Sequence, residues 1–224
     1  HMIGLSASDR ALSASAGMVT GMAEGQGALR VSVGGASAEI PYYVDRFDAR
    51  PLATFDTLAD TTKAGGQNYD PSNTRIIVRN TDCREGEGCL AVSYAMNKGG
   101  GRSEISIPIG AVIDREPVKL GLWIRGDGRE AWVRGELVDA AGTRFLVDFT
   151  NGSQGVLWKD EWRYVTVPVA SLVGRRVRPG TRPRFPATFR TLTISQEQEA
   201  LKSSGELVFD GLQALYPPDV DKLK

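Results

Sequence analysis

Between residues 75 and 216 apolar and polar residues alternate one by one in short runs: RIIVRN, CLAVSYAM, SEISIPI, KLGLWIRG, AWVRGELVDA, TRFLVDFT, RYVTVPVA, TLTISQE and ELVFDGLQALY. Period-two alternation is the pattern of a strand with one buried face, because successive side chains of an extended chain point to opposite sides. Gly126-Asp127-Gly128, Ala141-Gly142-Thr143 and Asn151-Gly152 are turn signals between the runs. No convincing amphipathic helix intervenes, and parallel strands would need such crossovers. The pattern predicts an all-β fold, an antiparallel β-sandwich (jelly roll). The Pro- and Arg-rich stretch RRVRPGTRPRFPATFR suits neither strand nor helix and is expected to form a long loop across one end of the sandwich.

With 224 residues the chain holds one large β domain, or one of ordinary size with a smaller piece attached. Residues 3–44 carry two alternating runs, ALRVSV and AEIPYYV, joined at Gly34-Gly35, a hairpin signal. The composition then changes to DRFDARP over 45–51, a linker signature. The expected division is a short β segment (3–44), a linker (45–51), a sandwich (52–216) and a tail (217–224). The alternative is that the first strands extend the main sheet.

Charge and composition exclude several functions. Lys plus Arg and Asp plus Glu are both 27, so no net field draws the chain to nucleic acid. No apolar run reaches the roughly 18 residues of a membrane helix. His1, in what reads as a cloning remnant with Met2, is the single histidine. The remainder therefore has no imidazole for a triad, a general base or a zinc site. Gly25-Gln26-Gly27 and Gly99-Gly100-Gly101 lead into no helix and precede no Gly-Lys-Ser/Thr, so they are not phosphate loops. Cys83 and Cys89 flank a Gly-rich turn; this suits a disulfide in an oxidising compartment, the alternative being two free thiols.

Alternation also divides the faces. In KLGLWIRG, Leu120, Leu122 and Ile124 share one side and Trp123 and Arg125 the other. In AWVRGELV, Val133 and Leu137 oppose Trp132, Arg134 and Glu136. In RFLVDFT, Phe145, Val147 and Phe149 oppose Leu146 and Asp148. If these strands are neighbours, one face carries two Trp, two Arg and two acids. Such a surface suits a sugar: a flat apolar platform for the ring and fork-like donors and acceptors for the hydroxyls. The candidate ligand-binding residues are Trp123, Trp132, Arg134, Glu136 and Asp148, with Gln196 on the rim. The bland alternative is a solvated cross-strand ladder in which Arg134 pairs with Glu136 or Asp148.

Glu136 and Asp148 are also the best pair for glycoside hydrolysis, but that needs one raised carboxyl pKa, and Arg134 beside them favours two ionised groups. The expectation is a non-catalytic module. Arg175, Arg176, Arg178, Arg182 and Arg184 of the Arg-rich loop are read either as solvated or as a contact for an anionic polymer such as an acidic polysaccharide.

From about Thr54 to Tyr216 the chain resembles the C-terminal jelly-roll module of bacterial phosphodiester glycosidases, through ATFD, GEGCLAVSY, LGLWIRGDGREAWVRGELVDAAGTRFLVDFT, VLWKDEWRYVTVPV and ELVFDGLQALY. VTGMAEGQGALRVSVGGASAEIPYYV resembles the closing half of a bacterial immunoglobulin-like repeat, which commonly precedes that module. The Cys pair and the Arg-rich loop depart from the family. The resemblance implies an extracellular or cell-surface accessory module that binds a polysaccharide or cell-wall glycan and contacts an upstream catalytic domain; the alternative is a structural spacer or protein-interaction module of a cell-envelope assembly. It also implies one structural calcium where the first and last strands meet, held by Asp56 and Asp210 with Glu85 or Glu87 near and carbonyls of the Arg84 to Gly88 turn; the alternative is that each acid is an exposed strand-end carboxylate.

Overall fold

The computed structural model describes residues 3–7, 12–15, 18–21, 25–44, 47–57, 63–150 and 154–217. The His1-Met2 pair, residues 45–46 of the expected linker, the Asn151-Gly152 turn and residues 218–224 of the expected tail lie outside them. The chain divides into two compact units, His1–Asp48 with Pro217–Lys224, and Ala49–Tyr216.

The first unit contains β1 (Ile3–Ala7), β2 (Leu12–Ser15), β3 (Met18–Gly21), β4 (Gly25–Val33) and β5 (Ala36–Val44). β4 and β5 form an antiparallel hairpin about Gly34 and Gly35, β1 pairs with the other edge of β4, and β2 pairs with β3. Arg30 and Glu39, opposite each other in the hairpin, are joined at 2.8 Å.

The second unit is the sandwich. Its strands are β6 (Asp48–Ala53), β7 (Gly65–Gln67), β8 (Arg75–Arg79), β9 (Cys89–Ala95), β10 (Ser103–Ile113), β11 (Lys119–Asp127), β12 (Trp132–Val138), β13 (Arg144–Asp148), β14 (Lys159–Pro168), β15 (Val173–Gly174), β16 (Ala187–Gln196) and β17 (Ser204–Tyr216). One six-stranded sheet has the order β15-β13-β12-β16-β10-β7; the other runs β14-β11-β17-β9-β8, with β6 also paired to β17. Among the described residues there is no α-helix, only single 3-10 turns at Val169–Ser171 and Glu199–Leu201. The fold is an antiparallel β-sandwich of jelly-roll type.

The strand faces follow the alternation. Leu120, Leu122, Ile124, Val133, Leu137, Phe145 and Val147 are fully buried, and residues of both sheets meet in one core cluster. Each such side chain contributes roughly 1.5–3 kcal/mol relative to exposure. Gly135 occupies an inward position between Val133 and Leu137, where a Cβ would stand 2.3 Å from the Phe189 ring; glycine lets that ring cross the strand.

Three sequence expectations change. β11 and β12 follow each other in the chain but belong to different sheets. Alternation says which side of its own sheet a residue occupies, not which sheet that is, so Trp123 and Arg125 look out from the opposite side of the sandwich to Trp132, Arg134, Glu136 and Asp148. Asp48 to Pro51, expected as linker, belong to β6, whose Leu52 and Ala53 pack against the core; a strand with one neighbour tolerates Pro51, since its free side needs no donor. The Arg-rich segment is irregular over 175–186 but becomes β16 at Ala187, where Ala187 and Phe189 turn inward.

Candidate functional site

Strand register brings a polar surface together on the outer face of the β12-containing sheet. Asp148 (β13), Arg134 (β12), Thr193 (β16) and Ser106 (β10) form one cross-strand row, and Leu146, Glu136, Thr191 and Pro108 form the next. Trp132, Ser195 and Glu104 make a third. Between Glu136 and Leu137 the β12–β16 register slips, leaving Arg190 as the extra residue of a bulge. A bulge re-aims a side chain, and Arg190 joins Arg102, Arg144 and Arg175 around these rows to line a cleft of about 270 Å³.

The charges in the cleft are close but loosely paired. The Arg134 guanidinium lies 4.4 Å over the Trp132 ring, with Nε 3.5 Å from Asp148 Oδ2 and Nη1 3.9 Å from Glu197 Oε1. Glu136 stands 3.7 Å from Arg144 and 3.9 Å from Arg190, both beyond hydrogen-bond length. Arg102 is paired with Glu104 and lies 3.9 Å from Glu197. Four side-chain atoms here are buried without a hydrogen-bond partner: Arg102 Nε, Arg134 Nε, Asp148 Oδ1 and Ser195 Oγ. Burial pushes the Asp148 carboxyl above its usual value against the opposing pull of the Arg134 guanidinium and the Thr150 amide. At this carboxyl desolvation outweighs the neighbouring guanidinium. Asp148 sits opposite Arg134 while Glu136 sits opposite Leu146, so the two acids are diagonal and each faces a guanidinium. The arrangement offers donors and acceptors suited to hydroxyls and oxyanions.

Arg134, Glu136 and Asp148 thus come together as the alternation implied, whereas the remaining candidates do not serve as expected. Trp132 is 8% exposed and capped by Arg134, so it offers no open ring to a sugar. Trp123, on the other sheet, has Arg84 4.5 Å over its ring and Tyr164 at 4.9 Å, and its Nε1 donates to Glu85 Oε1 at 3.0 Å; its surfaces are used within the chain. Gln196 is fully buried, its Nε2 donating to the Glu130 carbonyl and its Oε1 accepting from the Glu197 and Gln198 amides. It positions the turn that carries Glu197 and touches no ligand space. Thr191, Thr193, Glu104 and Ser106 were missed, although alternation in TLTISQ and SEISIPI places them outward. The Arg190 bulge has no sequence signal.

The acids read as calcium ligands converge on the Arg84–Gly88 turn, but through its amides. Asp210 Oδ2 accepts from the Arg84 and Glu85 N–H groups at 2.7 and 2.8 Å, and Oδ1 from Gly211 at 2.8 Å. Asp56 Oδ1 accepts from Glu87 and Gly88 at 2.6 and 2.8 Å. Glu85 accepts from Trp123 through Oε1 and from Gln213 Nε2 through Oε2. A calcium site needs six to eight converging oxygens; here the partners are N–H donors, and the residues do not fit the ion. Among the described residues no group of three or more His, Cys, Asp or Glu is arranged to hold a metal.

The same turn is closed by a Cys83–Cys89 disulfide, Cα to Cα 5.4 Å, with Trp162 packed beside it. Alkylation of denatured protein without reductant is expected to add no mass, and with reductant to add two alkyl groups; labelling before reduction would contradict the bond.

No protein-family model matches the chain, and no curated protein matches it by sequence. Solved structures with a related arrangement include the family 11 carbohydrate-binding module of the cellulosomal cellulase Lic26A-Cel5E of Clostridium thermocellum, at 13% identity over 78% of this chain and 97% of that one, TM-score 0.49. The family 11 module from Clostridium thermocellum in complex with a β-1,3-1,4-mixed-linked tetrasaccharide gives 13%, 76%, 97% and 0.49. A family 30 carbohydrate-binding module gives 16%, 76%, 89% and 0.48. No residue role or ligand is carried across from these structures.

Proposed function

We propose that the Ala49–Tyr216 unit is a non-catalytic glycan-binding module whose ligand lies in the cleft over β10, β12, β13 and β16. The observation that carries this reading is unspent hydrogen-bonding capacity at the cleft surface: Glu136, Arg144 and Arg190 meet only at 3.7 and 3.9 Å, in a cleft also lined by Ser106, Thr191 and Thr193. Ion pairs held beyond hydrogen-bond length are worth little, and a polyhydroxylated chain supplies donors and acceptors together. Recognition is by guanidinium forks and carboxylates, without an open aromatic platform.

The resemblance to the glycosidase module supports an accessory role beside a bacterial phosphodiester glycosidase, following an immunoglobulin-like repeat, and the disulfide supports an extracellular or cell-surface setting. On a glycan array the chain is expected to retain a defined set of polysaccharides without releasing reducing sugar. Affinity should drop about tenfold or more in Arg134→Ala and also fall in Thr191→Val/Thr193→Val, which keeps Arg134 in place. Array silence, with concentration-dependent self-association by light scattering, would favour the spacer or protein-interaction reading instead.

A further inference from the structure

We propose that the ligand of this cleft is an anionic glycan, one carrying carboxylate, sulfate or phosphate groups, bound through Arg144, Arg175 and Arg190. The inference rests on the glycan reading above and adds the charge of the sugar. The cleft lining holds five guanidiniums, those of Arg102, Arg134, Arg144, Arg175 and Arg190, against two carboxylates, Glu104 and Glu136. Counting the nearby Asp148 and Glu197 leaves arginine in excess, in a chain whose net charge is zero. A positive concavity on a neutral molecule focuses field and favours an anion there over elsewhere.

The arginines divide into an inner and an outer set. Arg134 is 13% exposed and stacked on Trp132, and Arg102 is paired with Glu104. Arg144 and Arg190 are half-exposed and reach Glu136 only at 3.7 and 3.9 Å. The exposed Arg175 has no acidic partner among the described residues. Loose, solvated pairs are worth little, so an oxyanion displaces them readily and gains charge-assisted, bidentate hydrogen bonds. Lysine is absent from the lining, and the planar guanidinium fork is the group that matches carboxylate, sulfate and phosphate geometry. The fold delivers these groups from separate places: Arg144 opens β13, Arg175 follows β15, and Arg190 is turned outward by the bulge in β16. Of the Arg-rich stretch, Arg175 and Arg190, at its two ends, line the cleft; Arg176, Arg178, Arg182 and Arg184 do not.

The test is isothermal titration of the full chain against matched polymers: polygalacturonate and its methyl ester, dextran sulfate and dextran, phosphomannan and neutral mannan. An acidic member is expected to bind at least about tenfold tighter than its neutral match, with at least about tenfold lost in Arg144→Gln/Arg190→Gln. Arg178→Gln/Arg182→Gln should leave binding unchanged. The arm that responds identifies the anionic group. Equal or preferred binding of the neutral polymers would overturn the anion assignment and leave the glycan reading intact. Acidic binding that falls equally in both double variants, or in neither, would also overturn it by removing the cleft from the interaction. Silence across the panel would reject the glycan reading together with this inference. Arg144 and Arg190 are half-exposed, so an unchanged melting midpoint confirms that each variant reports on the site.

Discussion

Replacing Lys202 by Met is expected to destabilise the sandwich unit by about 3 kcal/mol, the lower end for breaking a buried charged contact. The Lys202 side chain is fully buried, and its Nζ donates to the carbonyls of Gly99 and Gly101 and to Glu199 Oε2 at 2.7 Å. Those carbonyls point inward because Gly99, Gly100 and Gly101 all take positive φ, +79, +71 and +75°, a run that only glycine adopts without strain. Asn68 Nδ2 faces the same two oxygens, Gly99 O at 2.5 Å and Gly101 O at 3.3 Å, and also Asn97 O at 3.3 Å. The ammonium thus acts as the positive centre of a ring of carbonyl dipoles. Methionine keeps the length of the stem and removes the charge, so the loss reports on those oxygens instead of on packing. Urea denaturation at constant pH measures it; a change under about 1 kcal/mol, the range of an ordinary surface substitution, would show that the carbonyls find other partners.

The second large effect is expected at Asp210. It is fully buried in β17, and its carboxylate accepts three backbone N–H groups, two of them from the disulfide-closed turn. Burial pushes this carboxyl above its ordinary value, the amides of Glu85, Arg84 and Gly211 pull it back, and the nearby Glu85 carboxylate adds to the rise. Asp210→Asn puts an amide NH₂ where one oxygen accepts, facing donor to donor, at a cost of about 2–3 kcal/mol. Adding chelator to the wild-type chain should leave its melting midpoint unchanged, because the turn is held by N–H donors. A chelator-induced fall of several degrees would mean that these carboxylates gather around a metal ion and would contradict the account of the turn.

Sequence alternation carried the inward face of every strand compared, as the burial of Leu122, Val133 and Val147 shows, because a half-buried strand must repeat every second residue. It could not carry sheet membership, which depends on long-range pairing. Trp123 and Trp132 therefore share a side in the one-dimensional pattern and lie on opposite outer faces in the fold. The Arg134, Glu136 and Asp148 cluster was legible because β12 and β13 are joined by a short turn and pair directly. The contributions of Thr193 and Ser106 needed the β16 and β10 pairings, and the aim of Arg190 needed a bulge that no residue type announces. The burial of Trp132 follows from the length of Arg134, which folds back two positions along the strand to cover it; periodicity says nothing of such a contact. Lys202 escaped for a related reason: a lysine in a polar turn reads as solvated until its partners, about a hundred residues upstream, are brought beside it.

The central claim is that the outer face of the β12-containing sheet, and not the Trp123-bearing face opposite, holds the ligand. Backbone amide chemical-shift mapping of the full chain during titration with a retained polysaccharide tests it directly. The expected perturbations cluster on residues 104–106, 134–136, 146–148 and 190–193. Perturbations centred on Trp123, Tyr164 and Gln213, with the β12 region unmoved, would contradict it.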